Sequence, residues 1–91
     1  MAAEISFVIL SYNDGERTIR AISSINNIVT KHNFDIYVVD NGSSDGTPEL
    51  ISKKYKNITL IRLKENTGTA AYNKAIEKSK SKYFFFPAKN E

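Results

Sequence analysis

No cysteine occurs in the 91 residues, and histidine appears once, as His32. The first absence excludes a disulfide framework and thiolate metal sites, and the second excludes a histidine cluster. Nucleophilic chemistry of the Cys–His or Ser–His–Asp kind would therefore rest on His32 alone. That residue falls where a helix hands over to a loop, and it reads as decoration of the helix end. Long apolar runs are missing as well. The N-terminal run "ISFVIL" (5–10) is short, interrupted by Ser6 and preceded by no basic leader, so it reads as neither signal peptide nor membrane span. Cytoplasm is the expected location, and the sequons Asn41-Gly42-Ser43 and Asn57-Ile58-Thr59 would matter only in a secreted protein.

What is present looks ordinary for a soluble globular chain. Hydrophobic residues at 41% and charged residues at 25% argue against both disorder and a membrane protein. Residues 1–91 are expected to form a single domain of modest stability, since a chain of this length buries only about 60–65% of its unfolded surface. The net charge of +3 comes largely from Lys74, Lys78, Lys80, Lys82 and Lys89. A solvated helix face is preferred over a phosphate-binding or membrane-surface patch. Nucleic-acid binding is not expected, because no aromatic residues interleave with these lysines.

Four apolar runs rich in β-branched or aromatic residues read as strands: "ISFVIL" (5–10), "FDIYVVD" (34–40), "ITLIRL" (58–63) and "YFFF" (83–86). Between the first two, Ile19, Ile22, Ile25, Ile28 and Val29 recur near every third residue and predict an amphipathic helix over 16–31, opened by Asp14 or Gly15. Thr47-Pro48-Glu49 predicts a second helix to about Tyr55, with Thr47 as its N-cap and Pro48 in its first turn. A third is expected from Thr67-Gly68, carrying Ala70, Ala71, Tyr72, Ala75 and Ile76 inward. The order β-α-β-α-β-α-β predicts a doubly wound, Rossmann-like α/β fold with a parallel sheet and right-handed crossovers.

In such sheets ligands bind beyond the carboxyl ends of the strands, where strand order reverses. The segments expected there are "SYND" (11–14), "DNGSSDGT" (40–47), "KENTG" (64–68) and "PAKNE" (87–91), which hold most of the chain's Asn, Gly and Asp. Asp40 closes an apolar strand, so its carboxylate either accepts a directed hydrogen bond from a ligand or caps the turn through Asn41 and Gly42. Known motifs fail here. "LSYNDGER" offers one glycine where G-x-G-x-x-G needs three, and no Gly-rich turn ends in Lys-Ser or Lys-Thr. A calcium-loop register from Asn41 aligns Ser43, Asp45 and Gly46 but meets Ser52 where a glutamate is required.

The segments "FVILSYN", "IYVVDNGSSDGT", "ENTG", "YNKAI" and "YFFF" occur in the order and spacing of family 2 glycosyltransferases of the GT-A fold, which the whole chain resembles. "VVDNGSSDGT" is the specific part of that match; "SYN" and "NTG" support it. The resemblance implies a strand order 3-2-1-4 and the nucleotide-binding half of a sugar-nucleotide transferase, with a UDP-, GDP- or dTDP-linked donor as partner. It implies that Asp40 accepts the ring N–H of a uracil-like base and that Tyr12, flanked by Ser11 and Asn13, packs on the base. Asn41, Gly42, Ser43 and Asp45 would shape the adjoining turn. Asn66 and Gly68 would start a helix facing the diphosphate, where Thr67 and Thr69 act either as hydroxyl donors or as simple caps.

The family usually carries an acidic Asp-x-Asp run after the fourth strand, binding Mg²⁺ or Mn²⁺. Here that run reads Ala88, Lys89, Asn90, Glu91, and Tyr72 stands where an arginine is frequent. The expectation is therefore a truncated or remnant form that lacks the acceptor half and the metal motif, ahead of a variant in which Lys89 takes over the charge of the metal. An all-apolar fourth strand left at a sheet edge further predicts a homo-oligomer formed through that edge. The alternative function is a self-associating module that binds no ligand.

Overall fold

Alternation along the first two strands sends every second side chain to one face. In the computed structural model, which describes residues 4–28 and 33–87, β1 (Ile5–Ser11) and β2 (Phe34–Asp40) pair in parallel with Ile5 opposite Phe34 and Ser11 opposite Asp40. Phe7, Ile9, Ile36 and Val38 face one way and pack with Ile22 and Ile25 of α1 (Gly15–Ile28) and Ile51 of α2 (Thr47–Lys54). Val8, Tyr37 and Val39 face the other way, against Ala71 and Ala75. Ala71 ends a 3₁₀ turn (Gly68–Ala71), and Ala75 lies in α3 (Tyr72–Lys78). With β3 (Ile58–Arg62) and β4 (Tyr83–Phe85) the all-parallel sheet has the order β3-β2-β1-β4, as expected, with helices on both faces. Each fully buried isoleucine, such as Ile22, Ile36 or Ile51, contributes about 1.5–3 kcal/mol.

Three expectations need correction. Thr47 is not the cap of α2. Gly46 occupies that position at φ 84°, and the Asp45 carboxylate accepts the Thr47 N–H at 3.0 Å as well as its hydroxyl. The Asp45 side chain thereby satisfies an orphan donor of the first turn, the N–H of Thr47 itself, and occupies the hydroxyl that was expected to cap. In the third helix Ala71 and Ala75 are buried and Tyr72 half-buried, but Ala70 and Ile76 are exposed. The 3₁₀ start explains the shift, since it advances about 120° per residue instead of about 100° and rotates the inward stripe.

The third correction concerns β4, which ends at Phe85 rather than Phe86. The Tyr83 N–H donates to the Glu4 carbonyl at 3.1 Å. Alternation then assigns residues 85 and 87 as the next donors to β1, and Pro87 has no N–H to give. The ladder stops there. Neither face of the strand is fully covered: Phe84 is half-buried, Phe85 is 56% exposed while edge-on to Phe7, and Phe86 sits edge-on to Tyr72.

At the opposite end of the sheet, buried Ser6 is a polar hub. Its hydroxyl hydrogen-bonds to Asp35 across the β1–β2 pair and lies 2.7 Å from the hydroxyls of Ser79 and Ser81. The connection from α3 to β4 is thereby tied to the strand it must pair with. His32, Ala88, Lys89, Asn90 and Glu91 lie outside the described residues, as does the predicted end of α1 beyond Ile28.

Candidate functional site

The carboxyl ends of the strands are stitched together before any ligand is considered. The Asn41 N–H donates to the Ser11 carbonyl at 2.8 Å, and the Leu63 N–H donates to the Asp40 carbonyl at 2.9 Å. Asp40 is only 2% exposed, and its carboxylate accepts the Ser43 N–H at 2.9 Å and the Ser43 hydroxyl at 2.6 Å. The turn-capping reading of Asp40 is realised in this geometry. A carboxylate offers about four lone-pair positions, so roughly two remain for another donor.

Asn13 joins the same network from the end of β1. Its N–H donates to Ser43 Oγ at 2.8 Å, and its side-chain oxygen accepts the Ser44 N–H at 2.8 Å. Holding both bonds puts Asn13 at φ 47°, a left-handed conformation that Asn tolerates better than most residues. Asn13 thus fastens the β1–α1 turn to the β2–α2 turn. Ser11 is fully buried and accepts the Thr18 hydroxyl at 2.9 Å. Tyr12, between these two, is 46% exposed at the rim.

Asn41 performs the corresponding task toward β3. Its amide nitrogen donates to Asn66 Oδ1 at 3.0 Å and to the Gly68 carbonyl at 3.2 Å, while its amide oxygen accepts the Thr67 N–H at 2.9 Å. Asn66 Oδ1 in turn accepts the Gly68 N–H at 2.8 Å. Gly42 makes the approach of these loops possible. At φ 90°, a Cβ there would lie 2.9 Å from backbone atoms of Glu65. The predicted residues therefore do converge, but Ser11, Asn13, Asn41, Ser43 and Asn66 spend polar groups on bonds within the chain. Tyr12 is the one that presents a large exposed face.

Two carboxylates on this rim are held below the ordinary value of 3.8. The side-chain hydrogen bond from Arg17 lowers Asp14, and the side-chain hydrogen bond from Thr47 lowers Asp45. Asp14 and Arg17 are joined at 2.6 Å through Nε of the guanidinium. Among the described residues no three His, Cys, Asp or Glu side chains converge to hold a metal ion. Oxygens of the calcium-loop register from Asn41 are engaged within the chain, Asn41 with Thr67, Ser43 with Asp40 and Asp45 with Thr47.

Sequence reasoning missed a cleft. It measures about 40 Å³ and is lined by Ile9 and Leu10 of β1, Arg17, Thr18 and Ala21 of α1, Tyr72 and Pro87. Its position follows from the early end of β4, because β1 continues to Ser11 while its β4 partners stop opposite Phe7. Strand order reverses at this β1–β4 junction, so the cleft lies where a doubly wound sheet takes a ligand. The available signal was Asp14 three residues before Arg17, with polar Thr18 one turn from the helix start.

Residues 6–87 match the family described as glycosyl transferase family 2. The chain is 33% identical over 88 residues to a poly(ribitol-phosphate) beta-N-acetylglucosaminyltransferase of Staphylococcus aureus (strain N315), covering 91% of this chain and 27% of that protein. It is 39% identical over 85 residues to an uncharacterized glycosyltransferase of Rickettsia conorii, covering 91% of this chain and 14% of the relative. With the glycosyltransferase AglE of Haloferax volcanii the identity is 34% over 80 residues, covering 82% and 26%. The chain spans about a quarter or less of the length of these relatives.

Proposed function

The chain belongs to glycosyl transferase family 2, and on that premise we propose that its strand-end rim binds the nucleotide of a UDP-, GDP- or dTDP-linked sugar donor. The observation that carries this reading is the pairing of Ser11 with Asp40. Tyr12 leaves β1 beside the residue that ends β2, so an exposed aromatic face adjoins a carboxylate with acceptor capacity to spare. An aromatic ring stacks on any base, and an acceptor-only group selects bases with a ring N–H. Asn13, Asn41, Gly42, Ser43, Asp45, Asn66 and Gly68 act by holding the turns around that pair. The similarity to transferases concerns only this part of their length. Transfer needs a base to deprotonate the acceptor hydroxyl, and we assign none to these residues.

Calorimetric titration with UDP, GDP and dTDP tests the reading. Asp40→Asn, which keeps one acceptor oxygen, should weaken the best-binding nucleotide about tenfold, the scale of a hydrogen bond to a charged group. An Asp40→Ala variant with undiminished affinity would remove the base-reading role.

A second reading, self-association through β4, is favoured by the exposure of Tyr83 (60%), Phe85 (56%) and Phe86 (40%) along a sheet edge. It is compatible with donor binding. It stands alone as an interaction module if no nucleotide raises the melting temperature. No helix among the described residues is long and apolar enough to cross a membrane. A cytoplasmic location, with exposed Lys74, Lys78, Lys80 and Lys82 available to a membrane surface, belongs to this proposal.

A further inference from the structure

Among the described residues one cation lines the cleft at the β1–β4 junction, and its geometry is unusual among the arginines. Arg20 pairs with Glu16 and Arg62 with Glu49 on open surface, where their side chains are 65% and 56% exposed. Arg17 is 33% exposed and lines the cleft. Of its guanidinium, Asp14 engages only Nε. A guanidinium carries five N–H groups, and the four on the two Nη atoms have no partner among the described residues. Asp14 thus fixes the plane of the guanidinium and leaves its forked edge available, the edge that takes a phosphate through two parallel hydrogen bonds.

The surroundings suit a single tetrahedral anion. About 40 Å³ is room for a few water molecules or one phosphate group. Ile9, Leu10 and Ala21 keep the floor apolar, which strengthens an ionic contact made there. Arg17 also sits in the first turn of the 14-residue α1, at the end where the helix dipole favours negative charge. Thr18, next to it, is bonded to Ser11, so the cleft adjoins Tyr12 through one short turn.

Resting on the donor-binding reading, we propose that Arg17 binds a phosphate of the nucleotide diphosphate in the β1–β4 cleft, with Asp14 as its positioning residue. Tyr12 and Arg17 then divide one ligand between them, the base at the end of β1 and the charge at the start of α1.

The test separates these halves of the ligand. The full chain is titrated with UDP, GDP and dTDP and with uridine, guanosine and thymidine. For the diphosphate that binds, Arg17→Ala should lose at least about tenfold in affinity while the matching nucleoside is unchanged. Arg17→Lys should recover part of the loss, since it restores charge but not the fork. Circular dichroism of Arg17→Ala at the titration temperature checks that the variant is folded, and Arg17→Lys serves as the decisive variant if it is not. The proposal is overturned if Arg17→Ala leaves diphosphate affinity intact, or weakens diphosphate and nucleoside equally. In both cases Asp40-dependent nucleoside binding would keep the donor-binding reading alive. If no nucleoside or nucleotide binds the wild-type chain, both fall together.

Discussion

Gly42 and Gly46 share a backbone conformation but not an environment, and that difference can be measured. Their φ values are 90° and 84°, so alanine at either site pays for the left-handed region, about 1–2 kcal/mol. A Cβ at Gly46 meets nothing within 4 Å, whereas one at Gly42 lies 2.9 Å from the Glu65 backbone, which cannot rotate away. Gly42→Ala should therefore destabilise the chain by about 2–4 kcal/mol and Gly46→Ala by about half as much, read from urea unfolding midpoints. Equal losses would mean the 40–46 and 64–68 loops are not in tight contact. The sequence makes the conformational need of "DNG" legible, since turn chemistry is local. It does not reveal Glu65, because a contact between residues 23 apart depends on the β2–β3 register. The same limit applies to Asp40. Its type and position at the end of an apolar strand mark it as a candidate, while its bonds to Ser43 emerge only once the turn is closed.

Elements were legible where periodicity was strong and misread where a neighbour intervened. All four strands follow from short runs of β-branched and aromatic residues, and the first helix from its apolar stripe, because a parallel strand buried on both faces needs an unbroken apolar run. The cap position of α2 went to Gly46, with Asp45 holding Thr47, and the stripe of α3 turned with its 3₁₀ start, neither of which periodicity reports. Ser6 was read as an interruption of an apolar strand. Its full burial and its bonds to Asp35, Ser79 and Ser81 make it the anchor of β4. Ser6→Ala leaves Asp35 and both serines without their common partner, at a cost of about 1–3 kcal/mol. It should also speed hydrogen exchange at the Phe85 amide more than at amides of β2, because β4 depends on this tether and β2 does not. A loss below about 0.5 kcal/mol, with uniform exchange, would reduce the hub to a passive packing site.

For the molecule as a whole, the question is what covers β4. Among the described residues its outer edge has no neighbouring strand in the order β3-β2-β1-β4, and Tyr83, Phe85 and Phe86 are exposed there. An unpaired edge bearing aromatic side chains is a template for another chain. Two forces compete there. Burying what remains exposed of the three rings favours association, each offering roughly half of the 150–250 Å² that a fully buried aromatic residue removes from water. Lys80 and Lys82, flanking the strand within a chain of net charge +3, repel a second copy. Salt shortens the range of that repulsion to about 8–10 Å near physiological strength and leaves the apolar term in place. Self-association should therefore strengthen between low salt and about 0.5 M, the opposite of an ion-pair interface. Sedimentation velocity across that range should show dimer or higher species at micromolar concentration, shifting to monomer in Phe85→Lys, which adds charge at the centre of the edge. A wild-type chain that stays monomeric at high micromolar concentration in both salts would show that this edge is tolerated bare. The β4 aromatics would then act only within the chain, Phe85 on Phe7 and Phe86 on Tyr72 at the wall of the cleft.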